Sequence, residues 1–219
     1  MLNKPDDFIA PVCHAQIEIL YQDEAILVIN KPSGLLSLSG KNPLNKDSVH
    51  FRLVQDFPTA LMVHRLDFGT SGLMLVGLSK SIVKNVNTQF SNRSVKKVYQ
   101  AVLHGGLKNE SGIIDCAIAK GEFPLQKICE NTGKAAQSEY VVLKRLSDRT
   151  YVQFTPLTGR SHQLRIHSAA IGHPIIGCDL YGTQASLAKA GRLMLHASEL
   201  EFDHPQTGER MHFSHPSLF

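Results

Sequence analysis

The chain has no close pair of cysteines: Cys13, Cys116, Cys129 and Cys178 are scattered through 219 residues without a C-x-x-C. That spacing excludes a zinc ribbon or a disulfide framework and reads as reduced thiols. Long apolar runs are missing as well, since the longest aliphatic stretches, AILVI and LMLV, are far too short to span a bilayer. The opening residues MLNKPDDFIAPVCHA carry two Asp and no apolar core, unlike a secretory signal. There is no G-x-x-x-x-G-K-[ST] and no G-x-G-x-x-G, so nucleotide cofactors have no visible cradle. There is no H-E-x-x-H, and His162 and His167 stand five apart, poor geometry for a metal on one helix face. GTSGL is not a nucleophile elbow, because Leu73 stands where Gly is required. The expectation from these features is a soluble cytoplasmic protein without metal chemistry.

Hydrophobic residues make up 42% of the chain and charged residues 19%, which excludes a wholly disordered polypeptide and supplies a sizeable core. Twenty-three Lys and Arg against nineteen Asp and Glu give a net charge of +4, which permits a polyanionic partner without demanding one. Distribution says more. Ser81 to Lys97 holds Lys84, Arg93, Lys96 and Lys97 with no acidic residue, and Arg160 and Arg165 lie in a second stretch free of carboxylates. Either run alone reads as a solvated face; two of them flanking sequence motifs shift the balance toward a polyanionic partner.

Residues 15–30 are two β-rich runs split by Gln-Asp-Glu, a hairpin pattern. Asp47 is placed to cap a helix carrying Val49, Leu53, Val54 and Phe57, and Ser79 one carrying Val83, Val86 and Phe90. LMLVGL between them reads as a buried strand. From Lys97 the pattern turns to β, with VYQAVL, SEYVVLKRL and YVQFTPL separated by Gly-rich or polar turns. TGRSHQLRIHSAAIGHP reads as a turn and a Ser161-capped helix that stops at Gly172, and two or three closing strands follow. No repeat or linker interrupts this, so the expected class is α+β, a single domain around a largely antiparallel sheet.

Within VHRLDFGTSGL, Asp67 is a lone carboxylate between a His-Arg pair and a Thr-Ser-Gly turn. Its oxygens can cap that turn through the N–H groups of Gly69 or Thr70. Alternatively it is a nucleophile: beside an Arg, for which Arg165 is the natural partner, a carboxylate stays ionised and can attack an electrophilic carbon. A retaining glycosidase or nucleoside hydrolase would want a second positioned acid, which the segments around Arg160 lack. A catalytically silent RNA-binding module would keep the basic runs but has no reason to keep Asp67 with Arg165.

HRLDFGTSGL (64–73) resembles the signature of the RluA-type pseudouridine synthases, and three further stretches follow that family's order: NKPSGLL (30–36), KKVYQAV (96–102), and TGRSHQLRIH with GHPIIG (158–167 and 172–177). The resemblance runs from residue 17 to the end. It implies a catalytic domain at 17–219 after an extension at 1–16, a mixed, mostly antiparallel sheet with flanking helices and a central RNA-binding cleft, and no separate N-terminal RNA-binding domain. It implies an enzyme that needs no cofactor, acts as a monomer and converts uridine to pseudouridine in structured RNA. Carried over by position, Asp67 matches the essential aspartate, Tyr99 the tyrosine that packs on the target base, Arg165 the arginine paired with the aspartate, and Arg65 the residue that fills the space of the flipped nucleotide. Leu195 matches an apolar wall of the uracil pocket, although a core leucine fits equally, and His64, Lys31, Lys96, Lys97 and Arg160 are the expected RNA contacts. The short form and KDSV (46–49) resemble the branch that acts on a 23S ribosomal RNA stem-loop and on the tRNA anticodon loop. One departure stands out: the family commonly places Asp directly after the Gly of PIxG, whereas Cys178 follows Gly177 here and Asp179 comes one place later.

Overall fold

The computed structural model describes residues 8–219; the first seven residues of the expected 1–16 extension lie outside them. In chain order the strands and helices are β1 (Glu18–Gln22), β2 (Ile26–Lys31), α1 (Val49–Asp56), β3 (Leu61–Met62), β4 (Ser71–Gly77), α2 (Lys80–Ser91), β5 (Lys96–His104), β6 (Ser111–Asp115), β7 (Ile118–Lys120), β8 (Gln126–Ile128), β9 (Gln137–Arg145), β10 (Arg149–Pro156), α3 (Gln163–Ala170), α4 (Gln184–Leu187), β11 (Leu195–Asp203) and β12 (Arg210–Ser214). The class is α+β, and the pairs β1–β2, β2–β4, β3–β4, β5–β10, β9–β10, β6–β9, β7–β8 and β11–β12 are antiparallel. Two compact units form: residues 8–97 with Ala197–Ser217, and Val98–His196 with Leu218–Phe219. Among the described residues no helix is long and apolar enough to cross a membrane.

In the first unit the strands run β1, β2, β4, β11, with β12 on β11 and β3 on β4. The two-run pattern of residues 15–30 is the β1–β2 hairpin. Its turn is fixed by Asp23, whose carboxylate accepts from the Ala25 and Ile26 N–H groups at 2.7 and 2.8 Å, an Asx turn in the usual sense. Every residue of β4 is buried, as expected of a strand with neighbours on both edges and a covered face. Its Leu73 and Leu75 join Ile26 and Val28 of β2, Ile82 and Val86 of α2, and Leu200 and Phe202 of β11 in one apolar cluster.

Ser79 caps α2 as the sequence suggests, its Oγ accepting from the Ile82 N–H. The cap of α1 is Ser48 rather than Asp47. Asp47 is instead engaged by Arg52 at 2.7 Å, and that guanidinium also donates to the carbonyls of Ala15 and Cys13. A bidentate Arg–carboxylate pair outcompetes a single cap bond for the same oxygens.

In the second unit β5, β10, β9 and β6 lie side by side, and β7–β8 forms a separate hairpin. Its core gathers Leu103, Val152, Phe154, Leu164, Ile175 and Leu193. The sequence places a Ser161 cap on α3; the structure places His162 there, left-handed at φ 58° and without a side-chain cap bond. Gly172, at φ +79°, ends that helix as expected.

Candidate active site

Antiparallel pairing of β2 with β4 sets Lys31 opposite Gly72, so the chain leaving β2 meets the chain entering β4. That juxtaposition joins NKPSGLL to HRLDFGTSGL. Lys31 is fully buried, and its Nζ donates to the carbonyls of Pro32 at 2.9 Å, Leu35 at 2.7 Å and Phe68 at 3.2 Å. The Gly34 N–H donates to the same Phe68 carbonyl at 2.9 Å, and the Ser33 hydroxyl to the Gly69 carbonyl at 2.7 Å. Ser37 Oγ donates to the Leu66 carbonyl at 2.7 Å and accepts from the Leu66 N–H at 3.1 Å. The main chain is therefore held on both sides of Asp67, which is itself half-buried.

Two glycines make the fit possible. Gly34 turns at φ +80°, and Gly72 at φ +113° lies where a Cβ would stand 2.2 Å from the Ala197 carbonyl oxygen. The turn after Asp67 is closed by main chain, the Thr70 N–H donating to the Asp67 carbonyl at 3.1 Å.

The expectation that Lys31 contacts RNA is corrected: an ammonium sealed from solvent that bridges a turn to the Asp67 loop is a structural strut. Its sequence neighbours carry the signal, because a Lys ending an apolar strand before Pro-Ser-Gly has turn carbonyls within reach of all three donors. His64 also makes a contact within its own unit. Its Nε2 accepts from the Leu75 N–H at 2.9 Å, and its ring lies 5.1 Å from that of Phe90. Burial, with the Lys97 charge as a lesser cause, pushes its pKa down to about 3, which favours the neutral acceptor seen in this bond. Lys97 is half-buried with its ammonium 5.7 Å from the Phe90 ring centre, and burial holds its pKa below the usual lysine value. Lys96 is exposed and sits 3.6 Å from Glu201, and Arg65 is exposed.

The second unit carries the remaining predicted residues. Arg165, on α3, is 5% exposed; its Nη2 donates to Asp179 Oδ1 at 2.5 Å and its Nε faces Cys178 Sγ at 3.5 Å. The Tyr181 ring lies 5.5 Å from its Cζ. Asp179, of uncertain use in the sequence, is thus an ion-pair partner of Arg165, and Tyr181 is a residue that sequence reasoning missed. Tyr99, half-buried on β5 and paired in register with Phe154, packs against the unit's core. Leu195 is 3% exposed and packs in that core. Arg160 Nε donates to the Ala135 carbonyl at 3.1 Å. Among the described residues no three His, Cys, Asp or Glu side chains converge as metal ligands.

Residues 25–170 match the family model described as RNA pseudouridylate synthase. The chain is 49% identical over 198 residues to the dual-specificity RNA pseudouridine synthase RluA of Yersinia pestis, covering 89% of this chain and 96% of that protein. It is 45% identical over 204 residues to the protein of the same name from Escherichia coli strain K12, covering 92% and 93%. Among solved structures, human RNA pseudouridylate synthase domain containing 1 superposes with a TM-score of 0.78 at 30% identity, covering 94% of this chain and 86% of the other.

Proposed function

The chain belongs to the RNA pseudouridylate synthase family and isomerises uridine to pseudouridine in RNA; on that premise we propose that Asp67 is the carboxylate that performs the exchange. The observation that carries this is the fixed main chain around it, with Leu66, Phe68 and Gly69 all tied to residues 31–37. A carboxylate whose backbone cannot relax meets the reacting sugar without a reorganisation cost.

The reaction breaks the bond between uracil N1 and ribose C1′, turns the base, and joins C5 to C1′. C5 gives up its proton and N1 gains one, so product and substrate are isomers and neither oxidant nor cofactor is consumed. Three routes are open to an ionised Asp67: addition to C1′, addition to the uracil ring, or removal of a ribose proton. The family resemblance assigns Arg165 as the arginine of that carboxylate and Tyr99 as the tyrosine that packs on the uracil. Before chemistry the uridine leaves its stack, which costs a few kcal/mol. Arg65 offsets part of that cost by occupying the vacated space, and Lys96 and Arg160 add contacts to phosphates.

The catalytic domain is residues 17–219, acting as a monomer in the cytoplasm. Its substrates are a 23S ribosomal RNA stem-loop and a tRNA anticodon loop; the dual-specificity name of the relatives at 49% and 45% identity supports two RNA substrates rather than one. The test is tritium release from each RNA labelled at uracil C5. Release from both establishes two substrates, and release from one alone removes the dual assignment.

A further inference from the structure

We propose that Asp179 is a positioning residue for the reaction, holding the Arg165 guanidinium in one plane; this rests on the reading that Arg165 serves the catalytic carboxylate. Arg165 is buried, yet it is a long side chain with several rotatable bonds, and its charge gains by turning toward water. One loop prevents that. Asp179 Oδ1 accepts from Nη2 at 2.5 Å, Cys178 Sγ lies 3.5 Å from Nε, and the Tyr181 ring stands 5.5 Å from Cζ. These contacts define the Nε–Nη2 edge of the fork and its face.

The loop itself is rigid. Gly177 turns at φ +73°, where a Cβ would lie 1.9 Å from the Arg192 carbonyl oxygen, and the Gly182 N–H closes the turn on the Cys178 carbonyl at 3.1 Å. The far end of Tyr181 is anchored, its hydroxyl accepting from the Gln126 N–H at 2.8 Å and sharing a hydrogen bond of 2.8 Å with His162 Nδ1. Of the three contacts only Asp179 carries charge opposite to the guanidinium. Its side chain is 69% exposed against 6% for Arg165, so the carboxylate stays hydrated while it orients a buried cation. It packs against little, and its replacement perturbs the guanidinium more than the fold.

The experiment compares Asp179→Asn, Asp179→Glu, Arg165→Met and the Asp179→Asn/Arg165→Met pair in single-turnover pseudouridine formation, with RNA affinity and Tm measured on each. Asp179→Asn is expected to slow the chemical step about tenfold, the scale of a small misplacement of a catalytic group, with RNA affinity and Tm unchanged. Asp179→Glu is expected to recover most of the rate, and the double variant to be no slower than Arg165→Met. If Arg165→Met is slow but Asp179→Asn runs at the wild-type rate, the positioning role is overturned while Arg165 keeps its own. If Arg165→Met is itself unimpaired, the reading of Arg165 fails and this inference with it. A joint fall of Tm and rate without rescue by Glu makes Asp179 a stabilising residue only, which also overturns the proposal.

Discussion

Replacing Lys31 with Met keeps most of the side chain's volume and removes the buried ammonium. The carbonyls of Pro32 and Leu35, which accept from it at 2.9 and 2.7 Å, lose that donor, while Phe68 keeps the Gly34 N–H at 2.9 Å. Each buried acceptor left unsatisfied costs about 1–3 kcal/mol, or about 2–6 for the two. The substitution also relieves the desolvation of a buried charge, so the expected net loss is about 2–4 kcal/mol. For a chain of this length that lowers Tm by about 5–15 °C. The assay is urea unfolding with tritium release on the same preparations. The urea midpoint should fall with the slope unchanged, and activity should fall further than the unfolded fraction accounts for, because the Phe68 side of the Asp67 loop has lost its strut. A Tm within about 2 °C of wild type, with activity retained, refutes the argument that Lys31 holds the loop.

Other outcomes follow from the same geometry. His64 has its pKa pushed down to about 3 from 6.5, so its neutral form stabilises the fold fully above pH 6.5 and loses that contribution as pH falls toward 3. A His64→Gln protein should therefore show a shallower acid limb than wild type in that window, by up to about 1.4 kcal/mol per pH unit; identical limbs would count against a buried neutral imidazole. Gly72→Ala meets the Ala197 carbonyl at 2.2 Å in a backbone conformation that L residues avoid, and should cost at least about 2 kcal/mol in chemical denaturation. Arg65→Ala, at an exposed position, should leave Tm alone, weaken RNA binding, and lower the slope of log affinity against log salt by about one; an unchanged slope removes Arg65 from the phosphate contacts.

The sequence reveals those parts of the fold in which a local pattern has one physical solution. The all-buried β4 is visible in its unbroken apolar run, and the Ser79 cap stands directly before the first residue of α2. At α1 Asp47 and Ser48 are adjacent cap formers, and the choice is made by Arg52, whose other partners, Ala15 and Cys13, lie far back in the chain. The β7–β8 hairpin has strands of three residues each, too short to display a period of two. In the site, Asp67 draws attention in the sequence because a lone carboxylate inside an apolar frame needs a reason. Lys31 is taken for an RNA contact when its charge is weighed alone; its position at the end of an apolar strand before Pro-Ser-Gly is what signals a lysine that bridges turn carbonyls. Asp179 is visible as a displaced acid, but its hold on Arg165 depends on the turn at Gly177, which only coordinates reveal.

The central claim, that Asp67 performs the chemistry rather than closing a turn, is tested most directly with Asp67→Asn. Asn keeps the shape and the capacity to cap, and it lacks the negative charge. The measurement is single-turnover pseudouridine formation with enzyme in excess, alongside RNA affinity and Tm. The account predicts wild-type affinity and stability with no detectable product. Product at the wild-type rate would contradict it and return Asp67 to the role of a turn residue.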